Sequence, residues 1–242
     1  MKIILSPSKT PAFNLAAEEH LFSKLGENFL FLYINNPSVI IGSNQAVLNE
    51  VDQDFCIDND IRIIRRLSGG GAVYHDHGNV NYSFIQEKSK EPLSSSFLDP
   101  IINVLHTLGI PVEVGKRKDL WLNGFKISGT ASHLSKGREL HHGTLLYNTD
   151  IKMLWGALTS ENRNLIKKAT QSVISPVENI HDYLHEKNGN SPDTEMFYGI
   201  LTERLIEYYD LDNQTYLSTF DIKDIEHLQS IKYSKREWNY RK

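Results

Sequence analysis

Arg65-Arg66-Leu67-Ser68-Gly69-Gly70-Gly71-Ala72-Val73-Tyr74-His75-Asp76-His77-Gly78-Asn79 is the stretch on which the reading of this chain turns. Three consecutive glycines, entered from two arginines, let backbone approach a ligand where a Cβ would not fit. Ser68 and the following N–H groups could form a concave donor array for phosphate or carboxylate oxygens, with Arg66 adding fixed positive charge. Triple glycine between two apolar runs is also what a loose hairpin or bulge looks like, so the glycines alone leave both readings open.

The flanks favour the anion cradle. Ile61 to Arg66 reads as a strand delivering arginines to the loop, and Val80-Asn81-Tyr82-Ser83-Phe84-Ile85 alternates apolar and polar residues as a returning strand. The Gly-Lys-Ser/Thr ending of a Walker A loop and the Gly-x-Gly-x-x-Gly of a dinucleotide turn are both missing.

Upstream, Ile3 to Leu5 predicts a short strand. Asn14 is the expected cap of a helix running to about Leu25, with Ala17, Leu21, Phe22 and Leu25 on one face and Glu18 and Glu19 exposed. Phe29 to Ile34 and Val39 to Gly42 predict two buried neighbouring strands, and Asn44 to Asp60 one helix whose apolar face holds Cys56.

Downstream, Ser94-Ser95-Ser96 opens a helix striped by Leu98, Ile101, Ile102, Leu105 and Leu108, with Pro100 tolerable in its first turn. Val112 to Val114 reads as a strand and Gly115 to Asp119 as a basic loop. Asn123-Gly124 predicts a hairpin placing Lys126 early in its second strand. His141 to Asn148 reads as another strand; adjacent histidines point to opposite faces, so they do not form a metal pair. Ser175-Pro176-Val177-Glu178 has the form of a capping box, residues 187–195 read as a loop, and Phe197, Ile200, Leu201, Leu205 and Tyr208 form a helical stripe. Asp221 to Ile231 reads as a shorter amphipathic segment.

The 242 residues, 40% of them hydrophobic, suffice for one large α/β domain. A net charge of −4 gives no general attraction to nucleic acid or anionic membrane. A single cysteine excludes an internal disulfide, and the three-residue apolar run near the start is too short for a signal peptide. A cytoplasmic location is the simplest expectation.

The central stretch, together with Phe13-Asn14-Leu15-Ala16-Ala17-Glu18-Glu19, Lys126-Ile127-Ser128-Gly129-Thr130-Ala131, His141-His142-Gly143-Thr144-Leu145-Leu146 and the closing Arg236-Glu237-Trp238-Asn239-Tyr240, resembles the lipoate-protein ligases over essentially the whole chain. The resemblance implies a mixed, largely antiparallel sheet flanked by helices, the catalytic-domain fold of biotin and lipoate ligases, spanning residues 1–242. It implies that lipoate or octanoate is activated by ATP to an acyl-AMP and transferred to a lysine of lipoyl domains of 2-oxoacid dehydrogenase E2 subunits or of the glycine cleavage H protein. Lys126 would bridge the acyl carbonyl and the α-phosphate. ATP and lipoyl-AMP would lie against Arg66, Ser68, Gly69, Gly70, Gly71, Ala72, Val73, Tyr74, Lys126, Ser128 and Gly129. Lipoate would lie against Ser68, Gly70, Lys126, His142 and Gly143, and the helix carrying Glu18 and Glu19 would stand beside the acyl pocket, which favours a role for one of the two over exposure. Mg²⁺ would ride on the phosphates, with Asp119 as a candidate ligand.

Two departures keep alternatives open. Lys116-Arg117-Lys118-Asp119 stands where the bacterial ligases usually read Gly-Arg-Asn-Asp, a variant resembling mitochondrial lipoyltransferases, which use preformed lipoyl-AMP. The chain also stops after the Glu-Trp-Asn motif, the expectation being that the small C-terminal domain is absent and that a separate accessory protein supports adenylation. Octanoyltransferases use a cysteine near the lysine or beyond the His-Gly strand, and neither segment has one. Biotin ligases carry a different, arginine-rich glycine loop. A reading of another class is a binder that keeps lipoyl-AMP or nucleotide without transferring it.

Overall fold

The computed structural model describes residues 1–92, 94–161, 165, 166 and 168–241. In chain order the elements are β1 (Lys2–Leu5), α1 (Pro11–Ser23), β2 (Phe29–Ile34), β3 (Ser38–Ile41), α2 (Val47–Glu50), α3 (Gln53–Asp58), β4 (Arg62–Arg65), β5 (Val73–His75) and β6 (Asn79–Glu87). A 3₁₀ turn (Ser96–Leu98) leads into α4 (Asp99–Thr107), followed by β7 (Glu113–Val114), β8 (Leu120–Leu122), β9 (Phe125–Ser128), β10 (Thr130–Ser135) and β11 (Arg138–Leu146). The remainder is helical: α5 (Ile151–Leu158), α6 (Ile180–Asn188), α7 (Thr194–Tyr208), α8 (Thr219–Leu228), a π turn (Gln229–Tyr233) and α9 (Arg236–Asn239).

The largest sheet has the order β1-β2-β6-β11-β10, with β1 parallel to β2 and the other pairs antiparallel. Strand β2 shows why it lies inside. Its six apolar residues alternate faces, sending Leu30, Leu32 and Ile34 into one core with α4 and α7, and Phe29, Phe31 and Tyr33 into another with α1 and α8. Burying each such side chain stabilises by roughly 1.5–3 kcal/mol, so neither face can turn to water. A three-stranded sheet, β4-β3-β5, carries the glycine loop, and β7-β8-β9 carries Lys126.

This is the mixed, largely antiparallel, helix-flanked architecture expected, with local differences. Strands β2 and β3 are both buried but belong to different sheets. The glycine loop joins β4 to β5, both flanking β3, while β6 leaves for the large sheet. Pro11 takes the first position of α1 and Thr10 the cap position, so Asn14 lies inside the helix, where its side chain bonds to Ser8 and Asn35; Leu25 lies beyond the helix end and is exposed. The helix expected over 44–60 divides at Val51-Asp52, because the Asp52 carboxylate accepts from Phe55 N and starts α3 afresh. Pro176 and Val177 form no helix start. The backbone there pairs with the open edge of β9, Lys126 N donating to Pro176 O at 2.8 Å, and α6 begins only at Ile180. Pro100 does sit in the first turn of α4, and the stripe of α7 buries Phe197, Leu201 and Leu205.

Candidate active site

The two arginines ahead of the glycines have different tasks. Arg65 is fully buried and donates to the carbonyls of Gly42 (2.9 Å), Gln45 (2.7 Å), Trp238 (3.2 Å) and Arg241 (2.8 Å). The Trp238 indole and the Asn239 amide return bonds to its backbone, which gives the closing Trp-Asn motif a structural reason. Arg66 lies beneath the loop, its guanidinium donating to Ser68 Oγ (2.9 Å) and to the carbonyls of Ile40, Gly69 and Gly71. Burial lowers it to about 10 against the opposing pull of Glu18, so it remains a cation at neutral pH. Gly70 takes φ +87°, and a Cβ on Gly42 would lie 2.2 Å from Gly70 O, so both glycines are required for the loop to pack on β3.

Ser68 is fully buried. Its Oγ receives Arg66 Nε–H and meets His142 Nε2 at 2.6 Å. His142 Nδ1 in turn donates to Glu18, 3.0 Å away, and the same carboxylate accepts from Tyr33 OH and Ser83 Oγ. The expected exposure of Glu18 is therefore wrong: a buried cation and three donors converge on it. Burial alone would raise its pKa, but the charge of His142 and the hydrogen bonds of His142, Ser83 and Tyr33 outweigh it and hold the carboxyl below its ordinary value. Glu19 is also engaged, with Lys232 and Tyr233 OH.

Lys126 reaches the site through the predicted hairpin. Asn123 and Gly124 take φ +50° and +84°, the paired positive values a two-residue turn of this kind needs. Its ammonium lies 3.6 Å from Asp119, whose Oδ2 is buried and has no hydrogen-bond partner among the described residues. Burial lowers the Lys126 pKa, Arg117 pushes the same way and Asp119 opposes both. Lys118, where the resemblance expects Asn, takes φ +60°. Asn tolerates that region better than Lys, so Lys118→Asn is expected to raise stability by about 0.5 kcal/mol, read as a higher denaturation midpoint with an unchanged m-value. A lower midpoint would refute the strain.

These groups meet around a cavity of about 300 Å³ whose walls include Arg66, Gly70 to Val73, Lys126, Gly129, His142, Gly143 and Asp119. A second cavity of about 110 Å³ adjoins it, lined by Tyr74, Ser128, Leu146, Trp155 and Ile174, with Val73, Lys126 and Gly129 common to both. Of the residues predicted from sequence, Tyr74 and Ser128 thus face the second cavity alone, and Ser68 and Gly69 line neither. The loop's donors are partly committed as well: Ala72 N donates to Ser172 Oγ at 2.8 Å, because residues 170–175 cross over the loop. Leu15, Tyr33, His75 and Thr144 also line the large cavity and escaped the sequence reading. Leu15, His75 and Thr144 lie inside the quoted motifs, whereas Tyr33 lies outside all of them. Cys56 is 1% exposed in a separate core, and burial followed by Asp52 raises its thiol to about 12, which removes it as a nucleophile. No group of three or more metal-binding side chains occurs among the described residues.

A glycine loop over a buried arginine, with a lysine in the wall common to two cavities, is an arrangement that can hold anionic groups beside a cation, as an enzyme handling carboxyl or phosphate groups requires. The chain belongs to the lipoyl protein ligase A/B catalytic domain family, which it matches over residues 10–205. It is 36% identical over 236 residues to the lipoate-protein ligase LplJ of Bacillus subtilis, covering 95% of this chain and 70% of that protein. A lipoate protein ligase structure from Thermoplasma acidophilum with bound lipoic acid superposes with a TM-score of 0.82 at 27% identity, covering 99% of this chain and 98% of that one. The structure of that organism's bi-partite ligase and its E2 lipoyl domain gives 0.79 at 27% identity, covering 99% and 95%. A lipoate-protein ligase A bound with ATP gives 0.82 at 26% identity, covering 99% and 98%.

Proposed function

We propose that residues 1–242 act as one catalytic domain that activates lipoate with ATP and transfers the lipoyl group to a lysine of a lipoyl domain. The observation that carries this reading is the Lys126 ammonium in the wall common to both cavities, where one cation can touch an acyl carboxyl and a phosphate together. In the first step a lipoate oxygen attacks the α-phosphorus, the bond to the bridging oxygen breaks and pyrophosphate leaves. In the second, a neutral lysine amine attacks the acyl carbon, the C–N bond forms, the bond to AMP breaks and the amine proton passes to solvent.

Both steps gather negative charge on oxygens, which Lys126 and Arg66 are suited to hold. The 300 Å³ cavity takes the acyl chain and the reacting phosphate, with His142 and Gly143 beside the acyl group; the smaller, largely apolar cavity takes the base against Tyr74 and Trp155. Ser68 and Gly69 contribute by shaping the loop. Mg²⁺ fits only in part: Asp119 Oδ2 is an unpartnered acceptor, but Lys126 and Arg117 lie within 4 Å, so phosphate oxygens would supply most ligands. Such an ion would neutralise charge on the leaving pyrophosphate.

Octanoate is the second acyl substrate, and E2 lipoyl domains and the H protein are the acceptors, in the cytoplasm. No described helix is long and apolar enough to cross a membrane. One observation favours a second reading, the bi-partite character of the Thermoplasma ligase, in which adenylation would need a separate accessory protein. Intact-mass analysis of an unmodified lipoyl domain separates the readings. A mass gain with ATP, Mg²⁺ and lipoate marks a complete ligase; gain only with preformed lipoyl-AMP marks a transferase needing a partner. No gain under either condition returns the binder that keeps its ligand.

A further inference from the structure

Ser172, on the strap that crosses the glycine loop, is half-buried and lines both cavities. The groups around its hydroxyl fix where the proton goes. Gly42 N–H can only donate, and Gln45 Oε1 accepts it at 2.9 Å, so the Gln45 amide turns its Nε2 toward Ser172 Oγ, 3.1 Å away. Ala72 N donates to the same oxygen at 2.8 Å. A hydroxyl oxygen has two lone pairs, and these two N–H groups fill both. The Oγ–H is thus left as a donor, and it has no acceptor among the described residues. The residue is pinned through its backbone as well, Ser172 N donating at 3.2 Å to the buried carboxylate of Glu50. The glycine loop therefore gives up the Ala72 N–H to orient a hydroxyl that offers a donor of its own.

The place of this hydroxyl indicates what receives it. A Cβ on Gly71 would lie 2.9 Å from Ser172 Oγ, so the oxygen stands directly against the loop. Val73 Cγ1 and Lys126 Nζ each lie 3.8 Å from the point where a Cβ on Gly129 would stand, which puts the ammonium at the far end of the same short stretch. Hydroxyl and ammonium flank Ala72 and Val73, and both residues belong to the wall common to the two cavities. With an acyl chain on one side of that junction and a base on the other, the group between them is the α-phosphate.

We infer that Ser172 Oγ–H donates to a non-bridging oxygen of the α-phosphate of lipoyl-AMP, making Ser172 a second substrate-binding donor beside Lys126. The inference rests on the acyl-ligase reading. Free lipoate brings no phosphate, so the hydroxyl favours the adenylate over the acid.

Calorimetric titration of the wild type, Ser172→Ala and Asn49→Ala with lipoate and with preformed lipoyl-AMP, with no acceptor protein present, tests this without requiring catalysis. Ser172→Ala should weaken lipoyl-AMP about tenfold and change lipoate by less than about twofold. Asn49 bonds both the N–H and the carbonyl of Ile166, at 3.0 Å each, so Asn49→Ala loosens the segment leading into the strap and leaves the hydroxyl in place. That variant should keep the wild-type ratio of the two affinities. The ³¹P resonance of bound lipoyl-AMP should move in Ser172→Ala and stay in Asn49→Ala. Equal losses for both ligands in Ser172→Ala, an unchanged phosphorus resonance, or the same selective loss in Asn49→Ala would overturn the role of the hydroxyl and leave the ligase reading standing. Binding of neither ligand by the wild type would overturn the ligase reading and this inference together.

Discussion

Lys126→Ala is expected to lower the rate of lipoyl transfer from preformed lipoyl-AMP to a lipoyl domain by roughly 10²- to 10³-fold, the cost of removing one oriented donor at a developing oxyanion, about 2.7–4 kcal/mol. Affinity for lipoyl-AMP should fall far less, because the loop, Arg66 and the apolar walls remain. Mass spectrometry of the acceptor gives the rate and calorimetry the affinity. A binder would show no transfer in the wild type, so the substitution would have only an affinity to change. The ammonium form is the active one, and burial with Arg117 lowers its pKa. The alkaline limb of the wild-type rate should accordingly begin below the ordinary lysine range. Transfer unaffected by the substitution would remove Lys126 from the chemistry.

The second large effect is expected from Glu18. Glu18→Ala leaves His142 Nδ1, Tyr33 OH and Ser83 Oγ without their shared acceptor and leaves the buried Arg66 without the nearby negative charge. Breaking a buried charged network in this way costs about 3–5 kcal/mol, enough to bring a domain of ordinary stability close to unfolding. Urea denaturation measures it directly, and a loss under about 1 kcal/mol would mean that the network contributes little.

The pH dependence has a definite sign. The folded carboxyl titrates below its unfolded value of 4.5, so its stabilisation is fully present above that pH and disappears as the pH falls through the lower folded value. Glu18→Gln cannot titrate. The stability difference between the wild type and this variant should therefore hold steady from neutrality down to about pH 5 and shrink in stronger acid. A difference that widened on acidification would contradict a depressed Glu18.

Two failures of the sequence reading share a cause. The Asn14 cap and the capping box at Ser175 rest on residue types that form such features locally, and both are overridden by a partner distant in the chain, whereas the 44–60 helix breaks locally, at the Asp52 cap of α3. Asn14 serves Asn35 and the strap at 176–177 serves Lys126. Within the glycine loop, Ser68 Oγ bonds Arg66 and His142, and Ser68 lines neither cavity.

The sequence by itself determined what short-range stereochemistry controls. The Asn123-Gly124 turn, the apolar stripes of α4 and α7, the burial of Cys56 and the glycine loop beside Arg66 all follow from backbone sterics and periodicity within a few residues. Only the tertiary structure decided which strands are neighbours, that Glu18 is buried, and that His142 stands between it and Ser68. Those contacts join residues 124 and 74 positions apart, and Ser83 reaches Glu18 from 65 away. A carboxylate is exposed by default unless donors surround it, and here the donors come from β2, β6 and β11, which meet at α1 only when the large sheet packs against that helix.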